Sequence, residues 1–316
     1  MPAFTAAAPG KIILVGEHAV VYGQPALAVP ILTVQARAVV QADPAAASDQ
    51  VRIRAPEIGL DRALGELDPE QPLARIIGLV KEELDIPQLP SLSLHIHSDI
   101  PIAAGLGSSA AVSAAVIRAL AAFLGHPLSD ERVSDLTYQV EKIHHGNPSG
   151  IDNTVIAFSR PVYYRKGRPP ELFQIPQPFT LVIGDTGSPS LTSETVGAVR
   201  RGWEKQPERY QALFAAIGDL AAQVRQDLEA GKLQAVGPRL TKNHLLLRSL
   251  GVSTPRLDQL VETAVEAGAL GAKLSGGGGG GHMIALVEKG HAETLAAALH
   301  EAGAAGTLIT EVSSKG

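Results

Sequence analysis

Two hydrophobic periods take turns along this 316-residue chain. Leu92, Leu94 and Ile96 alternate with Ser93, His95 and His97, a period of two that predicts a half-buried strand over 92–97, and residues 31–40 read as a second strand. Between Ser129 and His144 the apolar positions Val133, Leu136, Val140 and Ile143 recur at helical spacing, behind a first turn carrying Asp130 and Glu131. On that helix Glu141 lies about 100° round from Val140, beside the stripe, which predicts a carboxylate facing a cleft. Polar, Pro-rich text at 41–72 predicts loop or a protruding hairpin. A Pro-rich stretch at 169–178 marks a boundary, after which 181–187 starts a new strand and helical text runs to about residue 267. One of those helices is bracketed by Pro255 at its first position and Gly268 just past its end, with Leu257, Leu260, Val261 and Val265 on its apolar face. The tail reads strand (283–287), helix (290–302), strand (307–312). No repeat is present, and the pattern as a whole gives two α+β units.

Composition narrows the class of partner. The chain is 45% hydrophobic, enough for one large core or two moderate ones, and carries a net charge of −5. With no long basic tract and only one Trp, five Tyr and six Phe, it has no nucleic-acid surface. Cysteine is absent, so disulfides and thiolate metal sites are excluded. The longest apolar stretch, Ala110 to Leu124, is interrupted by Arg118 and too short to span a bilayer, and the first residues lack a signal-peptide pattern. The expectation is a soluble, cytoplasmic protein with no membrane partner.

Four segments carry candidate chemistry. PIAAGLGSSAA at 101–111 joins a glycine turn to two hydroxyls and an Ala-rich helix. Ser108 reads as the cap of a helix opening at Ser109, and the unpaired N–H groups of the first turn suit an anion such as a di- or triphosphate. An ordinary helix cap is the plainer alternative. No Lys-Ser/Thr follows the glycines and the third glycine of a dinucleotide fingerprint is missing, which excludes both of those nucleotide motifs. KLSGGGGGGH at 273–282 holds six consecutive glycines, Gly276 to Gly281, and reads either as a linker or as backbone brought close to a ligand. PGKIILVGEHAVVYG at 9–23 brackets a short apolar run with Lys11, Glu17 and His18. EKIHHGNPSGIDN at 141–153 ends a helix in a polar turn of Gly146, Asn147, Pro148, Ser149 and Gly150, followed by Asp152.

Together these segments resemble the motifs of the GHMP kinases, the superfamily of galactokinase, homoserine kinase, mevalonate kinase and phosphomevalonate kinase. Gly16-Glu17-His18, HGNPSGIDN at 145–153 and NHLLLRSLGVSTPRLDQL at 243–260 are similar to the branch that acts on mevalonate. The likeness runs in order from residue 9 to about 288. It implies a two-domain α+β GHMP kinase fold: an N-terminal domain over 1–178 like ribosomal protein S5 domain 2, holding the phosphate loop, and a ferredoxin-like C-terminal domain over 179–316.

The implied reaction is transfer of the γ-phosphoryl group of ATP to the primary hydroxyl of mevalonate, with Mg²⁺. By resemblance the nucleotide is held by Pro101, Ala104, Gly105, Leu106, Gly107, Ser108, Ser109 and Ala110, and by Gly277, Gly278 and Gly279 of the glycine run. Ser109 and Glu141 are the implied Mg²⁺ ligands, a hydroxyl and a carboxylate being suited to a hard cation that keeps several waters. Asp152 matches the family's catalytic base, with Lys11 as the cation lowering the effective pKa of the reacting hydroxyl. Glu17, His18 and Thr192 match substrate positions, His18 as partner of the mevalonate carboxylate. Asn243 and His244 stand behind them, whereas His144 and His145 read as complements to a helix dipole. Three departures stand out: Ser193 follows Leu191-Thr192 where relatives often carry lysine, and Gly277 and His282 replace the usual Ala and small residue. They leave room for a phosphorylated or shortened mevalonate, or another hydroxy acid, as substrate. A catalytically inert nucleotide-binding homologue is the alternative from another class, against which Lys11, Ser109, Glu141 and Asp152 are all retained. Oligomeric state stays open, a homodimer included.

Overall fold

Two long strands open the chain, β1 (Ala3–Val15) and β2 (Ala26–Ala42). In this computed structural model, which describes residues 3–46, 50–101, 105–145, 148–190 and 192–314, they contribute to both of two compact units. The first unit takes residues up to Gly10, Val34–Pro101 and Gly107–Ser159; the second takes Lys11–Thr33, the described part of Ile102–Leu106, and Arg160 onward. The units therefore interleave along the sequence, where the reading above divided the chain once, between 178 and 179.

In the first unit, β3 (Val51–Ala55), β4 (Leu60–Ala63) and β5 (Leu92–Ser98) extend the sheet in the order β4-β3-β5-β2. β5 pairs antiparallel with β2, Leu94 opposite Val40 and Ile96 opposite Ala38, and the period-two pattern read at 92–97 buries its apolar residues. The stretch read as loop or hairpin is the antiparallel pair β3–β4, with β3 parallel to β5. Helices α1 (Pro72–Glu83), α2 (Ser108–Phe123), α3 (Asp130–His145) and α4 (Ile151–Phe158) pack on one another, and α2 also contacts β5. α2 is so rich in alanine that ten of its residues are buried, which lets neighbouring helices approach closely. On α3, Val133, Leu136 and Val140 are buried as read, but Ile143 is 41% exposed.

The second unit contains β6 (Val162–Tyr164) and β7 (Glu171–Leu172), with β6 paired to residues 26–28 of β2, and a separate four-stranded antiparallel sheet. That sheet runs β11 (Gly306–Val312), β8 (Phe179–Asp185), β10 (His282–Val287), β9 (Gly271–Ser275). β9 and β10 are buried at every position, as expected of strands covered on both faces. Around them lie α5 (Thr192–Lys205), α6 (Pro207–Glu229), α7 (Leu233–Ser249), α8 (Pro255–Glu266) and α9 (Ala292–Glu301). α8 starts at Pro255 as read, with the Thr254 hydroxyl accepting from Leu257 N–H, but its Val265 is 41% exposed. Ile143 and Val265 both fall in the last turn of their helix, where the covering layer has ended. α7 lies close against the start of β9, since a Cβ on Gly237 would overlap the Leu270 carbonyl just before the strand and one on Gly271 the Gly237 carbonyl. Among the described residues no helix is long and apolar enough to cross a membrane.

Candidate active site

The phosphate-loop segment crosses from one unit into the other: Gly105 and Leu106 belong to the second, Gly107 to Ala110 to the first. Gly107 is the N-cap of α2, with φ of 80°, a left-handed conformation that suits glycine. The helix thus begins at Ser108, one residue earlier than read. Ser108 is its first residue, not its cap, and no side chain caps the end. Ser109 follows in the first turn, and its hydroxyl donates to Glu141 Oε1 of α3 at 2.7 Å. Glu141 is 4% exposed, so it sits inside the packed layer and not on an open cleft wall as the periodicity suggested. Its neighbour Val140 is wholly buried, and a residue a third of a turn away is drawn in with it where α2 packs on α3. Leu106 is buried and Pro101 exposed; Ala104 lies outside the described residues.

The polar turn before Asp152 leads into a helix that the sequence reading missed. Gly150, with φ of 91°, is the N-cap of α4, and the half-buried Asp152 is the second residue of that helix. Asn153 Nδ2 donates to Ser134 Oγ at 2.9 Å and to the Ser134 carbonyl at 3.2 Å, fastening α4 to α3. At only eight residues, α4 is stabilised chiefly by this packing, which is why propensity alone left the stretch as turn. Gly146, Asn147 and Leu191 lie outside the described residues, as do the side chains of His144 and His145.

In the second unit, the Lys11 N–H donates to the Leu106 carbonyl at 2.9 Å, and the Lys11 side chain is buried. The chain turns at Gly16, whose φ of 112° and close approach to Ala26 leave no room for a Cβ. This turn presents Glu17 and His18 inward, at 2% and 7% exposure. Glu17 forms a fully buried ion pair with Lys273 of β9 and accepts from Asn243 Nδ2 of α7 at 3.2 Å. Both carboxylate oxygens therefore have partners within the protein. His18 Nε2 lies 2.9 Å from the Gly277 carbonyl, so it carries the proton and donates. Burial pushes the His18 pKa below its usual value, against the opposing pull of that carbonyl and of Glu17. His18 also has φ of 60°, a strained conformation for a residue with a Cβ, of a kind that gathers at functional sites.

The six glycines are not a linker: several are packed against other parts of the second unit. A Cβ on Gly278 would overlap the Val252 carbonyl, one on Gly280 the Pro189 carbonyl, and one on Gly277 would stand 2.5 Å from Thr192 Oγ1. Gly279 N–H donates to Val252 O at 2.9 Å, Gly281 N–H to Ser188 O at 2.8 Å, and Ser190 Oγ to Gly278 O at 3.1 Å. The close approach is to the protein's own backbone, and the ordering entropy is offset by these bonds. The start of the run still adjoins the phosphate loop: a Cβ on Gly276 would lie 3.9 Å from Gly105 Cα. Thr192 begins α5, with its hydroxyl 3.1 Å from Ser190 Oγ.

Lys273 was passed over in the sequence, although a lysine between Ala272 and Leu274 in a buried strand demands a counter-ion and so signals one. β9 itself was missed because its glycine, lysine and serine read as loop. Asn243 and His244 are buried behind the turn. His244 Nδ1 accepts from Leu274 N–H at 3.3 Å, which puts its proton on Nε2, facing Asp258 Oδ1 at 3.1 Å. Burial lowers the His244 pKa despite Asp258. Among the described residues no cluster of three or more His, Cys, Asp or Glu could hold a metal.

Comparison with known proteins fits this pattern of residues. The GHMP kinases N terminal domain matches residues 72–160 and the GHMP kinases C terminal domain residues 224–305. The mevalonate kinases of Pyrococcus horikoshii and Thermococcus gammatolerans are each 38% identical to this chain, over 98% of it and 96% of their own length. Among solved structures, that of L. major mevalonate kinase in complex with R-mevalonate superposes with a TM-score of 0.85 at 27% identity, covering all of this chain and 97% of its own. Methanococcus jannaschii mevalonate kinase superposes equally well at 25% identity, covering 100% and 99%. With both domain profiles matched in order and relatives of this identity along nearly its whole length, the chain belongs to the GHMP kinases and, within them, to the mevalonate kinase family.

Proposed function

We propose that this protein transfers the γ-phosphoryl group of ATP to the primary hydroxyl of mevalonate, giving 5-phosphomevalonate and ADP, in the cytoplasm. The observation that carries the reading is the near full-length similarity to archaeal mevalonate kinases. The local geometry at α2 and α3 supports it.

Phosphoryl transfer needs the two reactants positioned, charge on the phosphates neutralised and one proton taken from the alcohol. The first-turn N–H groups of α2, opened by the left-handed Gly107, are suited to receive phosphate oxygens. Ser109 and Glu141 present a hydroxyl and a carboxylate in direct contact, a hard-oxygen donor pair that fits Mg²⁺, which needs few protein ligands. When bound there, the ion supplies charge neutralisation for the phosphates. Asp152, at the start of α4, is the general base assigned to the substrate hydroxyl, and Lys11 supplies the positive charge that favours its deprotonation. Thr192 is assigned to the substrate. His18, whose Nε2 donates to the Gly277 carbonyl, lies beside the glycine run and is assigned, with Glu17, to the substrate. Gly277, Gly278 and Gly279 act on the nucleotide through the position of the run next to Gly105.

The test is ADP release with ATP, Mg²⁺ and, in parallel, mevalonate, 5-phosphomevalonate, homoserine and galactose. Turnover confined to mevalonate is expected. Preference for the phosphorylated compound would move the protein to another GHMP activity, and no turnover of any acceptor would make it an inert homologue.

A further inference from the structure

His18 combines φ of 60° with ψ of −49°, and the Ala19 N–H donates to the Glu17 carbonyl at 2.6 Å. That closes a γ-turn of the rare, strained kind around a residue that carries a Cβ. Such a conformation costs about 1–3 kcal/mol and persists only where the surrounding structure over-determines it. The bond from His18 Nε2 to the Gly277 carbonyl restrains the end of the ring. The backbone needs a restraint of its own.

His18 leads into a single helical turn, Ala19–Tyr22, whose Ala19 and Val20 are buried. Tyr22 ends it with its ring stacked on Phe214 of α6, centroids 4.1 Å apart and planes 12° from parallel, and with its centroid 5.4 Å from that of Trp203 of α5. Phe214 is buried, and Tyr210 meets it at 6.1 Å after crossing α5 at Gly202, where a Cβ would overlap the Tyr210 hydroxyl. Beyond the turn, a Cβ on Gly218 of α6 would crowd Gln24 and Pro25, so the departing chain lies on the same helix. Four rings, the chain's single Trp among them, thus hold the far end of the turn. An aromatic pair adds about 0.5–1.5 kcal/mol beyond the area it buries, enough to offset much of the strain at His18. The neighbouring substrate positions have other anchors: Glu17 is held by Lys273 and Asn243, and Thr192 lies beside Ser190, which donates to the Gly278 carbonyl.

We propose that Tyr22 is a positioning residue for the acceptor: its stack on Phe214 fixes the turn that keeps His18 in its strained conformation, and so keeps the His18 ring where the acceptor binds. The inference rests on the proposed function, in which His18 meets the substrate. Tyr22 acts through His18, and it does so with its ring face, so its hydroxyl is dispensable.

Wild-type turnover of mevalonate checks the activity itself, and its absence would bring down the proposed function and this inference with it. With turnover present, ratios among variants decide. Tyr22→Ala is expected to raise the KM for mevalonate about fivefold or more, with kcat and the KM for ATP within about twofold, the pattern of a lost binding contact to one substrate. Tyr22→Phe keeps the stack and should match the wild type. His18→Ala should raise the mevalonate KM at least as much, and adding Tyr22→Ala to it should change that KM by less than about twofold, because two changes that remove one contact lose its energy once. Full additivity of the two overturns the proposal. So does a wild-type mevalonate KM in either single variant, an equal rise in the KM for ATP in Tyr22→Ala, or a Tyr22→Phe protein as impaired as Tyr22→Ala. Should Tyr22→Ala not melt cooperatively, Tyr22→Leu, which keeps apolar volume but loses the flat face, carries the same measurements to the same outcomes.

Discussion

The two units hold their shares of the candidate site residues in different ways. In the first, Ser109 and Asp152 sit in the opening turns of helices that start at left-handed glycines, Gly107 and Gly150, and Glu141 is carried on a third helix packed among them. In the second, Glu17, His18, Thr192 and Gly277 sit on turns and helix ends held by bonds to residues distant in sequence, such as Lys273, Asn243 and Val252. A helix terminus presents groups by its own geometry, and local sequence determines it. A turn without regular structure is positioned only by what it touches, so its residues spend much of their bonding capacity on the fold.

The contrast makes Asp152→Asn the most damaging single change. If α4 presents Asp152 without depending on its charge, the variant should fold normally and bind ATP, while kcat falls by about two orders of magnitude or more, as for loss of a general base. Near wild-type kcat would remove Asp152 from the mechanism. In the second unit the same experiment on a structural position should do the reverse. Gly278→Ala combines a φ of 74° with overlap onto the Val252 carbonyl, and should cost about 2–4 kcal/mol of stability from strain and overpacking together. Gly105→Ala, with φ of 76° but open space around its Cβ, should cost only about 1–2 kcal/mol. Equal losses of Tm for the two would mean that the glycine run is not packed as described.

Glu141→Gln keeps an acceptor for the Ser109 hydroxyl and so should keep the fold. The Mg²⁺ concentration needed for half-maximal rate should rise by at least about tenfold, the cost of losing even an outer partner of a bound metal. An unchanged titration would assign Glu141 to helix packing alone.

The smallest effect separates the units by pH. His18 and His244, both in the second unit, have pKa values lowered by burial, so the unfolded chain binds protons more readily than the folded one. Their contribution to stability is fully present above the ordinary histidine value of about 6.5 and is lost as pH falls below it toward their folded values, by up to about 1.4 kcal/mol per pH unit for each. Thermal unfolding between pH 7.5 and 5 should show Tm falling below pH 6.5, with a shallower fall in His244→Gln. A parallel fall in that variant would show that His244 does not titrate with unfolding.

Much of this molecule can be read from its sequence. The alternation at 92–97, the stripe on α3, the Pro255 and Gly268 brackets of α8 and the glycine–serine opening of α2 are local signals, because strand period, helix period and cap chemistry act within a few residues. The similarity of the four motifs carries the family on the same footing. What the sequence could not decide lies where a residue's role depends on a partner far along the chain. Glu17 and His18 read as substrate contacts, but no spacing pointed to Lys273 and Gly277, 256 and 259 residues away, as the groups that hold them in place. The glycine run read as linker or ligand cradle, and nothing local showed that Val252, Ser188 and Pro189 pack against it. Spacing can place a polar side chain on a face or in a turn, but whether that side chain is left for a ligand is a matter of burial and hydrogen-bond satisfaction, and only the tertiary structure determines those.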